Sequence, residues 1–425
     1  MNKPTVSHVG DAITFLWAEG IEASLDRFHD SRGDITAEAT FYNHIPGEHP
    51  GLLHSARLNL MSTQARGSLA KALSGRVNEI DWPGLLEQLC YLAVNEYRDG
   101  EPPVNLCAVD PYQQTRWLLY PYVERGGPTI MFGEGGSGKS VLAMWMALHI
   151  ALGPRDQQGQ SQDSKPVLYL DYETSQEVHA ERMNALCAGL GIDLEARPPI
   201  YYRRMKSSLS QSAQAIRRDI DKLGIGMVVV DSLGGAGDGP PEESGTAITL
   251  FQSIRSFPVP ALCIHHKRKG NGQRGENQRD RLFGSVYYLN FARMAWEIAC
   301  EDDEGADVKT VGLIHCKANN GRLQKRHALQ IEFENDAELD RCTSIIIRKM
   351  DMADVPELAG RVSLRDRIVN ELERHAMTAN DLSDALSTDV NQVKVRLSQL
   401  KKTGLLVGLP GHQWGLASHA EPPPF

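Results

Sequence analysis

The sequence has few features of a secreted, membrane-spanning or zinc-binding protein. Its 425 residues include seven cysteines, an odd number, widely scattered and without a C-x-x-C pair. This distribution argues against a disulfide framework and a cysteine zinc site. No apolar run reaches the roughly 20 residues that span a bilayer, and residues 1–4 do not open a secretory signal. We therefore expect a cytoplasmic protein with reduced thiols and no membrane partner.

Positive charge is also scarce. The chain has 45 Lys and Arg residues against 54 Asp and Glu residues, a formal net charge of −9. This balance excludes a uniformly basic coat for nucleic acid, so any contact with nucleic acid must be local. The 41% hydrophobic and 23% charged residues are typical of a globular protein and exclude wholesale disorder. At about 150 residues per domain, the length predicts two to three domains.

Three blocks of the chain differ in pattern. Residues 1–115 mix strand-like alternation with helical stretches and end in a proline-containing linker, which predicts a small N-terminal α/β domain with an accessory or oligomerisation role. Residues 116–350 alternate apolar runs with helical periodicity. Residues 360–418 contain three short helices followed by a two-stranded wing, and they resemble a winged helix-turn-helix domain. Residues 419–425 are expected to form a flexible tail.

The central block has the pattern of an α/β fold. Its apolar runs are short and separated by helical stretches, as expected for strands that are buried on both faces. Such strands are typical of a mainly parallel sheet with helices on both sides. The predicted strands lie at residues 129–132, 167–170, 227–230, 261–264, 311–315 and 344–347.

A glycine-rich segment connects the first of these strands to a helical stretch at residues 141–152. The segment fits the phosphate-loop pattern G-x-x-x-x-G-K-[ST]. Glycines let backbone N–H groups converge on phosphates, the lysine neutralises the β- and γ-phosphates, and the hydroxyl can bind Mg²⁺. The sequence therefore predicts an ATP and Mg²⁺ site. The predicted nucleotide contacts are Gly133, Glu134, Gly135, Gly136, Ser137, Gly138, Lys139, Ser140 and Val141.

Hydrolysis of ATP needs a carboxylate for magnesium and a group that activates water. Asp231 ends a valine-rich run and is predicted, together with Ser140, to bind Mg²⁺. The residue after it is Ser232, so the activating carboxylate is expected from another strand. Glu173 follows a second apolar run and is our candidate base, with Asp171 as its rival.

Two histidines, His265 and His266, end a further apolar run. A polar side chain at this position can touch both the γ-phosphate and the following loop, and so report the nucleotide state; an interior role is the alternative. The segment 267–281 that follows has six basic residues against two acidic ones. It suits sequence-independent contact with nucleic-acid phosphates, although a solvated loop remains the alternative. The predicted DNA contacts here are Lys267, Arg268, Lys269 and Arg274.

The order and spacing of these motifs resemble the RepA-type ATPases. These are hexameric plasmid replicative helicases with a RecA fold, related to DnaB-like helicases and RecA recombinases. The resemblance covers residues 116–335 and includes a Gly-Ser pair at 284–285 followed by Arg293, and the Lys-Ala-Asn segment that begins at Lys317. It implies that His266 is the nucleotide sensor, Arg293 an arginine finger acting on a neighbouring subunit, and Lys317 a second such cation. It also implies a homo-oligomeric ring, a hexamer, around single-stranded DNA.

The chain adds an N-terminal block and a winged helix to that core. In the predicted recognition helix, Lys394, Arg396 and Lys401 are expected to contact duplex DNA, while a protein-interaction role is the alternative. Three functions fit. The first is an ATP-hydrolysing DNA helicase or translocase in replication or mobile-element maintenance. The second is an ATP-switched DNA-binding regulator or loader that unwinds nothing, and the third is a RecA-like recombination mediator.

Overall fold

A computed structural model of the chain describes residues 3–9, 12–45, 51–100, 103–110, 116–153, 164–267, 282–300, 307–336, 338, 341–350 and 364–417. The chain divides into two compact units. The N-terminal unit comprises Met1–Arg116, Ser207–Gly226 and Gln252–Val259. The second unit comprises Trp117–Lys206, Met227–Phe251 and Pro260–Phe425. None of the helices within the described ranges is long and apolar enough to span a membrane.

The described elements are numbered along the chain. The helices are α1 (Thr63–Ser74), α2 (Trp82–Asp99), α3 (Lys139–Leu152), α4 (Gln176–Gly189), α5 (Leu209–Leu223), α6 (Leu233–Ala236), α7 (Ser244–Arg255), α8 (Val286–Phe291), α9 (Leu364–Arg374), α10 (Ala379–Ala385) and α11 (Val390–Lys402). The strands are β1 (Thr5–Val9), β2 (Ala12–Leu16), β3 (Ile21–Ser31), β4 (Asp34–Asn43), β5 (Gly51–Asn59), β6 (Trp117–Leu119), β7 (Val123–Glu124), β8 (Thr129–Gly133), β9 (Val167–Asp171), β10 (Ile200–Arg204), β11 (Met227–Asp231), β12 (Ala261–His266), β13 (Met294–Cys300), β14 (Val308–Ala318), β15 (His327–Asp336), β16 (Arg341–Met350), β17 (Met377–Thr378), β18 (Leu406–Leu409) and β19 (Gln413–Leu416).

The N-terminal unit contains a five-stranded antiparallel sheet in the sequential order β1 to β5. Alternate residues of β3 and β4 are buried, as expected for strands with one covered face. Helices α1 and α2 share a core with this sheet, in which Phe41 meets Trp82 edge-on at 6.4 Å. Helix α5 also belongs to this unit, and its Arg218 pairs with Asp26 at 3.2 Å.

The second unit contains a nine-stranded sheet in the order β10-β9-β11-β12-β8-β13-β14-β15-β16. The six strands from β10 to β13 are parallel, whereas β14, β15 and β16 add antiparallel neighbours. The prediction of a mainly parallel α/β sheet is therefore confirmed, and it fits a RecA-like P-loop core. Two of the predicted runs, 311–315 and 344–347, lie in the antiparallel part instead.

The parallel strands place the functional residues at one edge of the sheet. Every residue of β8, β9 and β11 is buried, which explains their continuous apolar runs. The carboxyl ends of parallel strands meet at the same edge, where open α/β sheets bind their ligands. In this chain the edge lies at Gly133, Asp171, Asp231 and His266.

Residues 364–417 form three helices and a three-stranded antiparallel sheet in the order β17-β19-β18. Thr378 caps α10 through a reciprocal capping box with Asp381, and Asp389 caps α11. The helices and the sheet share one apolar core that includes Leu382 and Leu397. The sheet has one strand more than the predicted two-stranded wing, because β17 pairs with β19.

Candidate nucleotide-binding site

The glycine-rich loop joins the end of β8 to the start of α3. Gly136 and Gly138 adopt φ values of +73° and +81°, a region that strains other side chains. A Cβ atom on Gly133 would lie 2.6 Å from the carbonyl oxygen of Ile298. The loop therefore needs glycine for both its backbone conformation and its packing. It ends at the N-terminus of α3, where the helix dipole favours an anion.

Lys139 is held inside this loop and is only 6% exposed. Its ammonium donates to the carbonyl oxygens of Gly133 at 3.2 Å and Glu134 at 2.5 Å, and to the hydroxyl of Ser137 at 3.4 Å. Burial lowers the pKa of Lys139, whereas the nearby carboxylates, including Asp231, oppose that shift. The loop thus holds the Lys139 ammonium among polar groups at the N-terminus of α3.

Asp231 ends β11 and is 3% exposed. Its Oδ2 accepts a 2.6 Å hydrogen bond from the Tyr169 hydroxyl, and Ser140 also hydrogen-bonds this carboxylate. Burial raises the pKa of Asp231, and these two hydrogen bonds oppose the rise. Its Oδ1 is buried and finds no hydrogen-bond partner among the described residues.

This carboxylate fits a magnesium ion. Hard cations take oxygen ligands, and Mg²⁺ is usually held by one or two protein groups together with substrate phosphates. Two such groups are Oδ1 of Asp231, which has no hydrogen-bond partner within the described part of the chain, and the hydroxyl of Ser140, which hydrogen-bonds the same carboxylate. Within the described part of the chain, no group of three or more His, Cys, Asp or Glu side chains could hold a metal by itself. The residues present thus suit a metal bound together with a nucleotide.

Asp171 is fully occupied by hydrogen bonds at the end of β9. It accepts from the backbone N–H groups of Glu173 at 3.1 Å and Thr174 at 3.2 Å, and from the Tyr202 hydroxyl at 2.9 Å. Burial raises the pKa of Asp171, but hydrogen bonds to Glu173, Tyr202 and others outweigh it and lower the pKa overall. Asp171 therefore braces the turn that presents Glu173.

Glu173 is half-exposed and faces the loop. Its Oε1 accepts hydrogen bonds from the Ser232 hydroxyl and from Nε2 of His266, the latter at 3.0 Å. Burial raises the pKa of Glu173, yet hydrogen bonds from Ser232 and His266 and the charge of Lys139 lower it overall. The side chain is thus a carboxylate at neutral pH, the form that can accept a proton from water.

These groups line one cavity of about 620 Å³. Its wall contains most of the predicted nucleotide contacts, from Gly135 to Val141, together with Glu173, Asp231 and His266. Gly133 and Glu134 act instead through their carbonyl oxygens, which bind Lys139. The rest of the cavity lining comes mainly from α4 and from β14, β15 and β16. These elements contribute Val178, Glu181, Arg182, Lys309, Phe333, Cys342 and Ile345.

Lys309 is a residue of this cavity that the sequence motifs did not reveal. It lies on β14, where it pairs with Ile331, and its ammonium donates to the carbonyl oxygen of Gly136 at 2.7 Å. It belongs to the antiparallel part of the sheet, so the neighbouring strand directions rather than a local motif bring it to the loop. A single lysine before an apolar run gives no sequence signal of this position.

The two histidines occupy different environments: His265 is buried in the interior, whereas His266 lines the cavity. His265 is fully buried, its Nε2 lies 2.8 Å from the carbonyl oxygen of Phe283, and its ring stacks on Tyr288 at 4.8 Å. Burial lowers the pKa of His265 to about 4, so this histidine is neutral. Only His266 reaches the cavity.

Arg293 and Lys317 lie at the other edge of the sheet, where β8 and β13 begin. The backbone N–H of Arg293 donates to the carbonyl oxygen of Pro128, immediately before β8. Lys317 donates from its ammonium to the carbonyl oxygens of Leu289 at 2.7 Å and Asn290 at 2.8 Å. Arg293 immediately precedes β13 and is exposed, Lys317 lies on the paired strand β14, and neither lines the cavity of its own loop.

The predicted DNA contacts fall into three groups. Lys267 is 15% exposed, and its ammonium lies 3.1 Å from Oε1 of the buried Glu297 and 3.6 Å from Oε1 of Glu134. These ion pairs favour a structural role beside the loop. Lys394, Arg396 and Lys401 lie on α11, with Lys401 5.8 Å from the ring centre of Trp414. The remaining three, Arg268, Lys269 and Arg274, lie outside the described residues.

Comparison with known proteins adds to this geometry. Residues 103–272 match a family model described as an AAA domain, a range that includes the glycine-rich loop, Glu173, Asp231 and His266. The search of curated proteins found no match. Among solved structures, a KaiC-like protein from Pyrococcus horikoshii OT3 is similar with 13% identity and a TM-score of 0.34, over 53% of this chain and 91% of that chain. A likeness this weak carries no argument. The AAA match supports a P-loop ATPase family for this part of the chain.

Proposed function

We propose that this chain is an ATP-hydrolysing DNA motor, a helicase or translocase that works as an oligomeric ring in DNA replication or mobile-element maintenance. ATPase activity in general is supported by the AAA domain. One observation carries the proposal: Lys139, Glu173, Asp231 and His266 converge on one cavity at the carboxyl edge of the parallel sheet. Lys139 supplies a positive charge for the phosphates, Glu173 a carboxylate that activates water, and Asp231 a carboxylate that binds the metal. His266 connects these groups to the segment that follows β12.

Each residue has a separate task in hydrolysis. The backbone of the loop and Lys139 would hold the β- and γ-phosphates of ATP, while Ser140 and Asp231 would hold Mg²⁺. Bound there, Mg²⁺ neutralises charge on the transferring phosphoryl group. Glu173 orients a water molecule and accepts its proton as the water oxygen bonds to the γ-phosphorus and ADP leaves.

His266 supports the coupling of this reaction to DNA. Its Nε2 contacts Glu173, and its carbonyl oxygen accepts a 3.1 Å hydrogen bond from the N–H of Phe283. Lys267 and Leu282 form a β-bridge next to this bond, so the two ends of the segment between them are tied to the sensor. That segment, 268–281, is basic in sequence, and we propose that it follows single-stranded DNA in the ring channel.

Arg293 and Lys317 support a shared ATP site. Both lie at the sheet edge opposite their own glycine-rich loop, where they have no access to its phosphates. A cation in this position can serve a γ-phosphate only in another copy of the chain. We propose that each acts across a subunit boundary in a homo-oligomeric ring, a hexamer as in the RepA-type family.

A second candidate function rests on the C-terminal module, which we propose is a winged helix. Helix α11 contains Lys394, Arg396, Lys401 and Lys402 and no acidic residue. Such a helix suits the phosphates and base edges of duplex DNA. In that case ATP would switch the assembly of a DNA-binding regulator or loader, and nothing would be unwound.

Displacement of a labelled strand from forked DNA distinguishes the two functions. We expect ATP-dependent displacement by the wild type and by Glu195→Gln, a control variant at an exposed glutamate. The Glu173→Gln variant should bind ATP and DNA but displace no strand. ATP-sensitive binding to duplex DNA without any displacement by the wild type would support the regulator and contradict the motor.

A further inference from the structure

A buried phenol holds the carboxylate that we propose as the magnesium ligand. Tyr169 lies on β9 and is 1% exposed, and its hydroxyl donates to Oδ2 of Asp231 at 2.6 Å. In the sheet, Tyr169 is the partner of Val229, two residues before Asp231 on the adjacent parallel strand. Residues two apart on a strand share a face. The Tyr169 phenol and the Asp231 carboxylate therefore lie on the same face of the sheet.

The position of the Tyr169 ring is fixed by its surroundings. Its centroid lies 4.7 Å from that of His179, a buried residue of α4. Because the ring is enclosed by the sheet and this helix, the hydroxyl has no solvent to turn toward. The hydrogen bond has the short length of a phenol bound to a charged acceptor, about 2.5–2.7 Å. Rotation of the Asp231 carboxylate would break this hydrogen bond and leave the buried Tyr169 hydroxyl with no water molecule as a replacement partner.

The same bond decides which oxygen of Asp231 is available. Oδ2 is taken by Tyr169, whereas Oδ1 is buried with no hydrogen-bond partner in the described ranges. Asp231 lines the cavity with Ser140, the other predicted magnesium ligand. A carboxylate held at one oxygen presents the other in a defined direction.

We propose that Tyr169 is a positioning residue for magnesium: it fixes Asp231 through Oδ2 so that Oδ1 faces the ion that accompanies ATP. This inference rests on the proposed ATPase function. Residues that orient a metal ligand through a hydrogen bond typically change metal affinity 10- to 100-fold when they are replaced. Removing only the hydroxyl of Tyr169 should thus weaken magnesium binding without touching the phosphate loop.

The neighbouring strand offers a matched control. Tyr202 on β10 also donates its hydroxyl to a strand-end aspartate, Oδ2 of Asp171, at 2.9 Å. Asp171 is additionally held by the backbone N–H groups of Glu173 and Thr174 and does not line the cavity. A Tyr202→Phe substitution likewise removes a phenol hydroxyl that donates to an aspartate. The aspartate that loses the hydrogen bond is Asp171, which braces the turn before Glu173, and not the proposed magnesium ligand.

The test is the magnesium dependence of binding of a fluorescent ATP analogue, measured for each variant 20 °C below its melting temperature. We expect Tyr169→Phe to raise the half-saturating Mg²⁺ concentration about 10-fold or more. Binding in EDTA should remain as in the wild type, and Tyr202→Phe should keep the wild-type magnesium dependence. In an Asp231→Asn background, Tyr169→Phe should cause no further shift.

Three results would overturn the inference. One is a wild-type magnesium dependence in Tyr169→Phe, and another is an equal shift in Tyr202→Phe. The third is a full further shift when Tyr169→Phe is added to Asp231→Asn. A wild type that binds no ATP at all would instead refute the proposed function, so the two failures are distinguishable.

Discussion

At the scale of single residues, hydrogen bonds give the three carboxylates of the site different roles. Asp171 is held by two backbone N–H groups of the turn that it braces, by the Tyr202 hydroxyl and by Nε2 of His179 at 3.3 Å. Asp231 has one oxygen held and one oxygen without a partner among the described residues. Glu173 accepts hydrogen bonds from two side chains, Ser232 and His266, and is itself partly exposed. Of the three, Glu173 is the one that can reorganise around a water molecule.

The first prediction separates Glu173 from Asp171. Replacing a general base typically costs 10²- to 10⁴-fold in rate, so Glu173→Gln should lose hydrolysis by about that factor and keep its melting temperature and ATP affinity. Asp171→Asn should instead lower the melting temperature, because it weakens acceptors for two backbone N–H groups. Thermal unfolding and single-turnover hydrolysis measure the two effects. A greater rate loss in a stable Asp171→Asn variant would assign the base to Asp171.

The second prediction concerns Lys309. The cavity walls contain three cationic side chains, from Lys139, Arg182 and Lys309, and three carboxylates, from Glu173, Glu181 and Asp231. Removal of one cation leaves an acidic cavity for an anionic ligand. Lys309→Met should therefore weaken ATP binding about 10-fold, or about 1.4 kcal/mol, as measured by fluorescence titration. Lys325→Met, at an exposed lysine outside the cavity, is the control. Equal affinities of the two variants would contradict a role for Lys309.

The third prediction is a pH dependence that arises from His265. Its pKa is lowered by burial from 6.5 to about 4, so the unfolded chain binds a proton more readily between these values. Stability should therefore fall as the pH drops from 6.5 to 4, and this histidine should contribute about 3 kcal/mol of that loss. Urea unfolding at several pH values measures it. In His265→Gln the slope over this window should be smaller, and an unchanged slope would assign the pH dependence to other groups.

At the scale of elements, the cavity depends on the close contact between α4 and β16. Gly189, the last residue of α4, leaves no room for a side chain, because a Cβ atom there would lie 2.0 Å from the carbonyl oxygen of Ile345. Ile345 and Cys342 of β16 line the same cavity as the glycine-rich loop. Gly189 thus allows β16 to lie close to α4 beside the cavity.

The fourth prediction tests this contact with a pair of glycines. Gly189→Ala should force β16 away from α4, destabilise the protein by about 1–3 kcal/mol as overpacked substitutions do, and weaken ATP binding. Gly67→Ala in α1, where nothing lies within 4 Å of the new Cβ, should stabilise by about 0.5–1 kcal/mol. Melting temperatures and ATP titrations of both variants provide the measurement. A neutral Gly189→Ala would show that the strand moves freely.

The elements also show what a sequence can predict. Strands β8, β9, β11 and β12 were predictable because burial on both faces makes them continuous apolar runs. Strand β13 was missed because Glu297 interrupts its run, although that residue is fully buried. The direction of β14 is not readable from the sequence, since a run of buried residues such as its central part has the same composition whether the strand is parallel or antiparallel.

The residues of the candidate site likewise divide into those that the sequence predicts and those that it does not. The glycine-rich loop and Asp231 follow from spacing, because phosphate binding requires that order of residues. The choice between Asp171 and Glu173 depends on how the backbone turns after β9, and the presence of Lys309 depends on the register of β14 with β15. Both depend on tertiary structure, which no local pattern records.

At the scale of the whole molecule, the proposed function is arranged on two edges of one sheet. The carboxyl edge of the parallel strands holds the nucleotide cavity, and the opposite edge holds Arg293 and Lys317. The net charge of −9 coexists with a basic segment after His266 and a basic α11. The proposed coupling of ATP to DNA would therefore depend on these local contacts rather than on the overall charge.

The rate of steady-state ATP hydrolysis with and without single-stranded DNA tests the central claim most directly. If the cavity residues are coupled through His266 to a DNA-binding segment, single-stranded DNA should raise the hydrolysis rate several-fold, and the increase should be absent in Glu173→Gln. A wild-type rate that stays the same at every concentration of single-stranded DNA would contradict the proposal of a DNA motor.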